Sequence, residues 1–448
     1  MNKIIFLSLL LLCTVIIGCD SFLDAKPRKG LVIPEKLEQL LSLMRKENES
    51  LQDPTFGELS TDDFYWDTAD LNSKAEPVRN AYLWEADNMF GSDMLIEWLF
   101  HYRFIYYANT VLEQLPNITP SVSELPEWNK AKGEALFYRG KFLYDVAIVW
   151  ASAYNIPNND KALGMPIRLN TNFNEPSYRS SVKDTYAQIV KDIEESIIFL
   201  PELAEHVTRP SKLAAKAMAA RIYLSMGIYD KALAYAEEVL KVKSELLDFN
   251  MLSVTADYPI VIFNKEVIYH SYMQLYMANF YLNPTLLASY ESDDLRPDIY
   301  FNFQTNGKIG ELKGSYYGDA APFTGLAVDE MYLIAAECHA RDVGEDKAKE
   351  YLRRLLEKRY RNGTAPSVNG LTKTGLLDFI LEERRKELVF RGLRWGDVKR
   401  LNNEGRAIVL ERYSKDGKVS ELRPNDPRFN LPIPEGVIDL SGMEQNPR

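Results

Sequence analysis

Cys19 follows Gly18 at the end of an apolar run from Ile4 to Ile17, and a short basic start, Met1-Asn2-Lys3, precedes that run. The run is too short to cross a bilayer as a helix but has the length of a signal-peptide core. A small residue directly before a cysteine is what a lipoprotein peptidase requires. The expectation is therefore removal of residues 1–18 and lipid on the Cys19 thiol. Position −3 holds Ile16 where Leu is more usual, and Cys13 is the poorer candidate because bulky Leu12 precedes it. An ordinary secretory signal with an incidental cysteine is the competing reading. No later apolar run approaches spanning length, so the remainder reads as soluble and anchored.

Little else in the sequence is arranged for chemistry. Once Cys13 is lost and Cys19 acylated, Cys338 stands alone, which excludes an internal disulfide or a multi-cysteine zinc site. His101, His206, His270 and His339 are scattered, with no H-E-x-x-H spacing. No G-x-S-x-G and no phosphate-binding glycine loop occur. Carboxylate pairs such as Asp62-Asp63 and Asp293-Asp294 are plentiful, but a glycosidase pair is defined by its separation in space. Capping and loop roles are their default. The chain reads as a non-enzyme without metal or cofactor. Formal net charge is −11 over 448 residues, and −12 once Lys3 leaves with the signal, which argues against nucleic acid as a ligand. The densest charge, from Glu383 to Arg400, interleaves acids with bases. That pattern predicts a salt-bridge network, in which Glu383 and Glu387 can pair with Lys386 and Arg391, with Trp395 packed beneath it.

The elements that must position everything else read as mostly helical. Asp184–Leu200 carries Tyr186, Ile189, Val190, Ile193 and Ile197 at helical spacing, and Pro201 stops it. Ser211 is the expected N-cap of a small-residue helix over Leu213–Met226, and a further helix runs from Tyr229 to about Lys243. This pair fits a tetratricopeptide pattern at Ala220, Tyr223, Gly227, Tyr229, Ala232 and Ala236, which recurs at Ala336, His339, Gly344 and Ala348. Trp128–Trp150 and Thr374–Arg391 look like worn members of the same array. Such pairs bury their apolar faces only by stacking, so residues of about 95–245 and 325–400 form a scaffold. Residues of about 51–94 and 246–323 lack period and are rich in Asp, Asn, Gly, Pro and aromatics, as binding insertions commonly are. Residues 401–448 read as loop and short strand. The expected fold is mostly α, a helical-repeat scaffold with loop-rich insertions and few short strands, forming a single domain over 19–448.

Six motifs in order along the chain carry a family resemblance. They are Cys19-Asp20-Ser21-Phe22-Leu23-Asp24 with Pro27; Glu134-Ala135-Leu136-Phe137-Tyr138-Arg139-Gly140; Thr208-Arg209-Pro210-Ser211-Lys212 through Tyr229; Asp329-Glu330-Met331-Tyr332-Leu333-Ile334-Ala335-Ala336-Glu337; Glu383-Arg384-Arg385-Lys386-Glu387-Leu388 with Arg394-Trp395-Gly396-Asp397-Val398-Lys399-Arg400; and Leu431-Pro432-Ile433-Pro434 with Gln445-Asn446-Pro447. The chain resembles the SusD/RagB outer-membrane lipoproteins of the Bacteroidetes, although Gly140 stands where Ala is usual and the end stops short of Gly-Tyr. The resemblance implies a non-enzymatic lipoprotein on the cell surface that caps a SusC-type TonB-dependent transporter. It also implies an oligosaccharide ligand, or in some branches a peptide, passed to that channel. A scaffold lipoprotein without small ligand is the alternative from another class.

For a sugar ligand, aromatic rings in the irregular segments are the natural contacts. Sugar C–H faces lie on Trp or Tyr while neighbouring polar groups take the hydroxyls. Tyrosine is abundant, with 26 residues. Asp63, Trp66 and Trp84 are expected from the first insertion, and Tyr272, Tyr316 and Tyr317 from the second. Burial in the core is the competing reading, most of all for Trp84.

Overall fold

Single serine side chains set where two central helices begin. Ser181 accepts the Asp184 N–H (3.0 Å) and Ser211 accepts the Ala214 N–H (3.1 Å), each satisfying a donor that the first helical turn leaves open. The computed structural model describes residues 34–85, 89–90, 96–342, 344–414 and 417–448. The signal peptide 1–18 and Cys19 lie outside the described residues. Within Lys36–Arg448, which form one compact unit, the principal helices are α1 (Leu37–Met44), α2 (Ile96–Gln114), α3 (Leu125–Trp150), α4 (Val182–Phe199), α5 (Lys212–Ser225), α6 (Tyr229–Val242), α7 (Val328–Arg341), α8 (Glu345–Arg359), α9 (Lys373–Glu387), α10 (Arg394–Asn403) and α11 (Glu435–Ser441). The periodicity places most of these within a few residues of where they lie.

Neighbours in sequence pack as neighbours in space. α2 lies on α3, α3 on α4, α4 on α5, α5 on α6 and α7 on α8. α6 packs directly on α7 although residues 243–327 intervene. The repeat array therefore continues through its insertion. Close approach within it depends on missing side chains: a Cβ at Gly133 would sit 2.8 Å from the Leu200 nitrogen, and one at Gly140 would sit 2.9 Å from Ile193 Cγ1. These glycines, two turns apart on α3, let α4 settle against it.

The short strands belong to the irregular segments and tie them together. β2 (Phe64–Tyr65) pairs with β5 (Ala278–Leu282) in an antiparallel sheet of order β2-β5-β7-β6, with β6 at Phe301–Phe303 and β7 at Ile309–Leu312. β1 (Gln52–Asp53) pairs in parallel with β4 (Tyr272–Met273), and β3 (Val267–Tyr269) with β8 (Leu326–Ala327). β9 (Leu410–Ser414) and β10 (Gly417–Leu422) form a hairpin. The fold is mostly α, as expected.

The Glu383–Arg400 block is an internal ion network. Arg296 is fully buried and donates to Asp294 (2.6 Å), Glu383 (2.7 Å) and Glu387 (3.3 Å). Arg359 links Glu387 to Glu266, and Arg400 joins Asp397 to Glu337. Lys386 pairs with Glu383 as anticipated. Arg391 does not pair with Glu387; it turns to Asp329 (3.0 Å), because Arg359 and Arg296 already occupy that carboxylate. Trp395 is buried next to Phe429.

Candidate functional site

Tyr272 and Tyr317 meet at the surface. Their ring centroids are 4.4 Å apart with planes at 30°, and both rings are partly exposed. Tyr272 is aimed by β4: its N–H donates to the Leu51 carbonyl (2.8 Å). The preceding Ser271 donates to Asp53 (2.8 Å), which Thr324 and Lys141 also hold. Burial works against charge on Asp53, but Lys141 and these hydrogen bonds keep its carboxyl below the usual range. Tyr317 is aimed by Ser315, whose hydroxyl accepts the N–H groups of Tyr317 (3.2 Å) and Phe323 (3.0 Å) and donates to the Ala321 carbonyl (2.5 Å). Gly318 follows at φ +85°, and a Cβ there would lie 3.0 Å from the Ile262 nitrogen. Only glycine fits that turn without strain.

Further rings extend this surface. His270 stacks on Tyr317 (5.5 Å, 21°), Phe263 meets His270 edge-on (4.8 Å), and His206 meets Phe263 (4.5 Å). Burial pushes His270 down to about 4, so the ring is neutral at physiological pH and serves as an aromatic support. Phe263 is exposed, at φ +56°, beside exposed Val261 and Ile262. Tyr276 and Tyr258 both donate to Glu311 (3.0 and 3.2 Å), and Asp319 lies close enough to Tyr258, Tyr276 and Tyr317 to act on all three electrostatically. The phenols of these three are shifted upward, so they remain hydrogen-bond donors. The arrangement offers ring faces next to hydroxyl and carboxylate acceptors, without a nucleophile or a general acid–base pair poised for reaction.

The other four expected contacts point inward. Asp63 is buried and accepts from Arg385 (2.9 Å), next to Arg394. Trp66 is buried against Phe64 (4.9 Å) and Tyr82 (5.0 Å). Trp84, only 1% exposed, donates from Nε1 to the Ser60 carbonyl (2.9 Å) and carries the Arg412 guanidinium 4.3 Å from its ring. Tyr316 turns away from Tyr317 and donates to Glu266 (3.0 Å) under Arg391. Polar flanks suggested exposure at Trp66 and Tyr316, but Trp66 is covered by Phe64 and Tyr82 and Tyr316 is drawn inward by Glu266.

A second concavity was not foreseen. A cavity of about 680 Å³ lies between α2, the loop over residues 166–177 and α11. The sequence signal was present in Asn170-Thr171-Asn172-Phe173-Asn174, one aromatic among amides within the scaffold half. Among the described residues no cluster of ligating side chains suits a metal ion, and no helix is long and apolar enough to cross a membrane.

The helical-repeat frame thus presents the paired rings of Tyr272 and Tyr317 at its surface. Residues 21–224 match the SusD-like family model described as starch-binding associating with outer membrane, and residues 315–448 match the SusD family model. The chain is 24% identical to SusD-like protein P2 of Formosa agariphila over 99% of both chains. Its fold matches a SusD superfamily protein from Bacteroides thetaiotaomicron (TM-score 0.75, 21% identity, 92% of this chain and 100% of that one). It also matches a SusD-like carbohydrate binding protein from Bacteroides vulgatus (TM-score 0.69, 18% identity, 91% and 97%). The chain belongs to the SusD/RagB family. Members of that family are binding proteins and not enzymes.

Proposed function

We propose that this protein binds a polysaccharide or oligosaccharide on the Tyr272–Tyr317 surface and delivers it to a TonB-dependent transporter of the outer membrane. The observation that carries the ligand class is the outward tyrosine pair itself. Two tyrosine rings packed together with centroids 4.4 Å apart and partly exposed, with exposed Tyr276, Tyr258 and Asp319 and half-buried Glu311 around them, suit the C–H face and hydroxyl edge of a sugar. The description of the matching family as starch-binding agrees with this class. Cys19, acylated after cleavage at Gly18, is the tether, and residues 19–448 act as one domain. The transporter partner and the outward face follow from the family resemblance of the motifs.

Isothermal titration of the mature chain with soluble starch, laminarin, xylan and galactomannan tests the reading. Tyr272→Ala and Tyr317→Ala are expected to weaken the bound glycan about two- to twelvefold each while leaving thermal unfolding unchanged, as stacking contacts contribute about 0.5–1.5 kcal/mol apiece. Glycan affinity untouched by both variants removes the site, and capture of peptides with no glycan binding removes the ligand class. Co-purification of a TonB-dependent barrel with the lipidated protein tests the partner independently of ligand.

A further inference from the structure

We propose that the cleft between α2, the 166–177 loop and α11 is a second saccharide-binding site, separate from the Tyr272–Tyr317 surface and selective for a neutral sugar. The cleft has the volume of a ligand pocket, about 680 Å³. One wall is a face of α2, where Tyr102 and Tyr106 stand four residues apart, about 6 Å along the axis. The opposite wall is the 166–177 loop, whose tip carries Phe173. That ring is 72% exposed and stacks on Tyr106 (4.7 Å, 28°). A phenylalanine held outward on a polar loop loses hydrophobic stabilisation unless something covers its free face.

The loop is braced to hold that ring still. Arg168 donates to the carbonyls of Asn172 (2.5 Å) and Glu175 (2.7 Å), closing the loop on itself. Asn109 of α2 carries the carbonyls of Arg168 (2.9 Å) and Asn170 (3.3 Å) from below. Arg139 fixes Asn109 by donating to its side-chain oxygen (3.0 Å), and Asp192 grips Arg139 through two bonds of 2.8 and 2.6 Å. A chain of hydrogen bonds thus runs from a buried ion pair to the cleft wall. Such bracing lowers the ordering cost of binding.

The ligand class follows from what is left unpaired. Arg168 is committed to the loop and Glu175 to Asn170, so among the described residues no charge is directed into the cleft. The Tyr106 hydroxyl and the Asn174 side-chain amide make no hydrogen bond among the described residues. Ring faces with a free hydroxyl and a free amide at their edge match a neutral polyol with an apolar face. Exposed Leu99 and Leu440 form the rim. The inference shares with the reading above only the class of ligand.

Affinity electrophoresis of the mature chain in native gels containing soluble starch, laminarin, xylan or galactomannan separates the two sites. Three proteins are compared with wild type: a platform variant, Tyr272→Ala with Tyr317→Ala; a cleft variant, Tyr106→Ala with Phe173→Ala; and the combination. The expected result is a gel in which the platform variant is still retarded and the cleft substitutions reduce its association at least fivefold. Retardation that the cleft substitutions leave unchanged, or that vanishes entirely with the platform variant, overturns the second site and spares the first. Retardation lost in the cleft variant but intact in the platform variant sinks the first reading and keeps the second. No retardation of wild type in any of the four gels overturns both. Phe173 is solvent-exposed, so unchanged thermal unfolding is the check that the cleft variant has kept its fold.

Discussion

His339 lies flat on Tyr351, with ring centroids 5.8 Å apart and planes 13° from parallel, and both side chains bond to Glu237 (2.9 and 3.2 Å). Tyr223 and Tyr235 do the same one repeat earlier, at 5.9 Å and 6°, both on Glu194 (2.7 and 3.1 Å). In each case the glutamate comes from the helix that precedes in the array, α4 or α6. The two repeats are equivalent down to one hydrogen-bonded ring pair, although a long insertion separates them. His339 is accordingly a structural residue. His339→Tyr restores the tyrosine of the earlier repeat and is expected to leave Tm within about 2 °C. His339→Ala is expected to cost about 1–2 kcal/mol in denaturant unfolding. A Tyr variant as unstable as the Ala variant would refute the equivalence.

Gly140→Ala is expected to destabilise by about 1–3 kcal/mol, since the added Cβ meets Ile193 at 2.9 Å between two packed helices. Combined with Ile193→Val, which removes the Cδ1 methyl 3.0 Å from the added Cβ, the loss should be smaller than the sum of the single changes. Strict additivity in thermal unfolding would show that α3 and α4 simply move apart.

Removing Arg296 leaves Asp294, Glu383 and Glu387 with one fewer buried counter-charge. Arg296→Ala should cost about 3–5 kcal/mol. Arg296→Lys should rescue little, because one ammonium cannot reach three carboxylates held by a planar fork. Urea midpoints of the two variants measure this directly.

Glu58 supplies a pH test. Burial, with Asp63 and Asp62 nearby, pushes its carboxyl up to about 8, against an ordinary 4.5. The folded state therefore holds a proton that the unfolded state has lost between about pH 4.5 and 8, and stability falls as pH rises through that window. Glu58→Gln keeps the neutral shape and should flatten this decline, gaining on wild type at pH 8–9 and not at pH 4.5. Parallel pH–stability curves for the two proteins would exclude Glu58 as the source.

Trp66→Ala is expected to lower stability by about 3–5 kcal/mol, the cost of a large core cavity, with glycan affinity unchanged in the fraction that remains folded. Loss of glycan binding at unaltered Tm would return Trp66 to the ligand surface.

Helices such as α4 and α5 were legible because their signals are local: apolar residues three and four apart, Ser211 one turn before the small-residue run, Pro201 after the last turn. The inward turn of Asp63, Trp66, Trp84 and Tyr316 was not legible. Asp63 and Trp84 depend on partners far along the chain, Arg385 at 322 residues from Asp63 and Arg412 over the Trp84 ring, while Trp66 is enclosed by Phe64 and Tyr82 from its own segment. Tyr316 and Tyr317 look alike in sequence, and their opposite fates are decided by Glu266 inside and Gly318 at the turn. The 166–177 loop was passed over because its ring is held by Arg139 and Asn109, residues that read as ordinary members of scaffold helices.

The bond from Ser271 to Asp53 spans 218 residues. Apart from the α6–α7 contact, the helical frame forms from short-range pairs, which assemble quickly, whereas closing a loop of that length carries roughly 5 kcal/mol of chain entropy. Tyr272 cannot take its place on β1 until both irregular segments have been made and brought together. The tyrosine surface is thus among the last parts of the molecule to assemble. A chain arrested partway through synthesis would own a stretch of frame but no paired tyrosines.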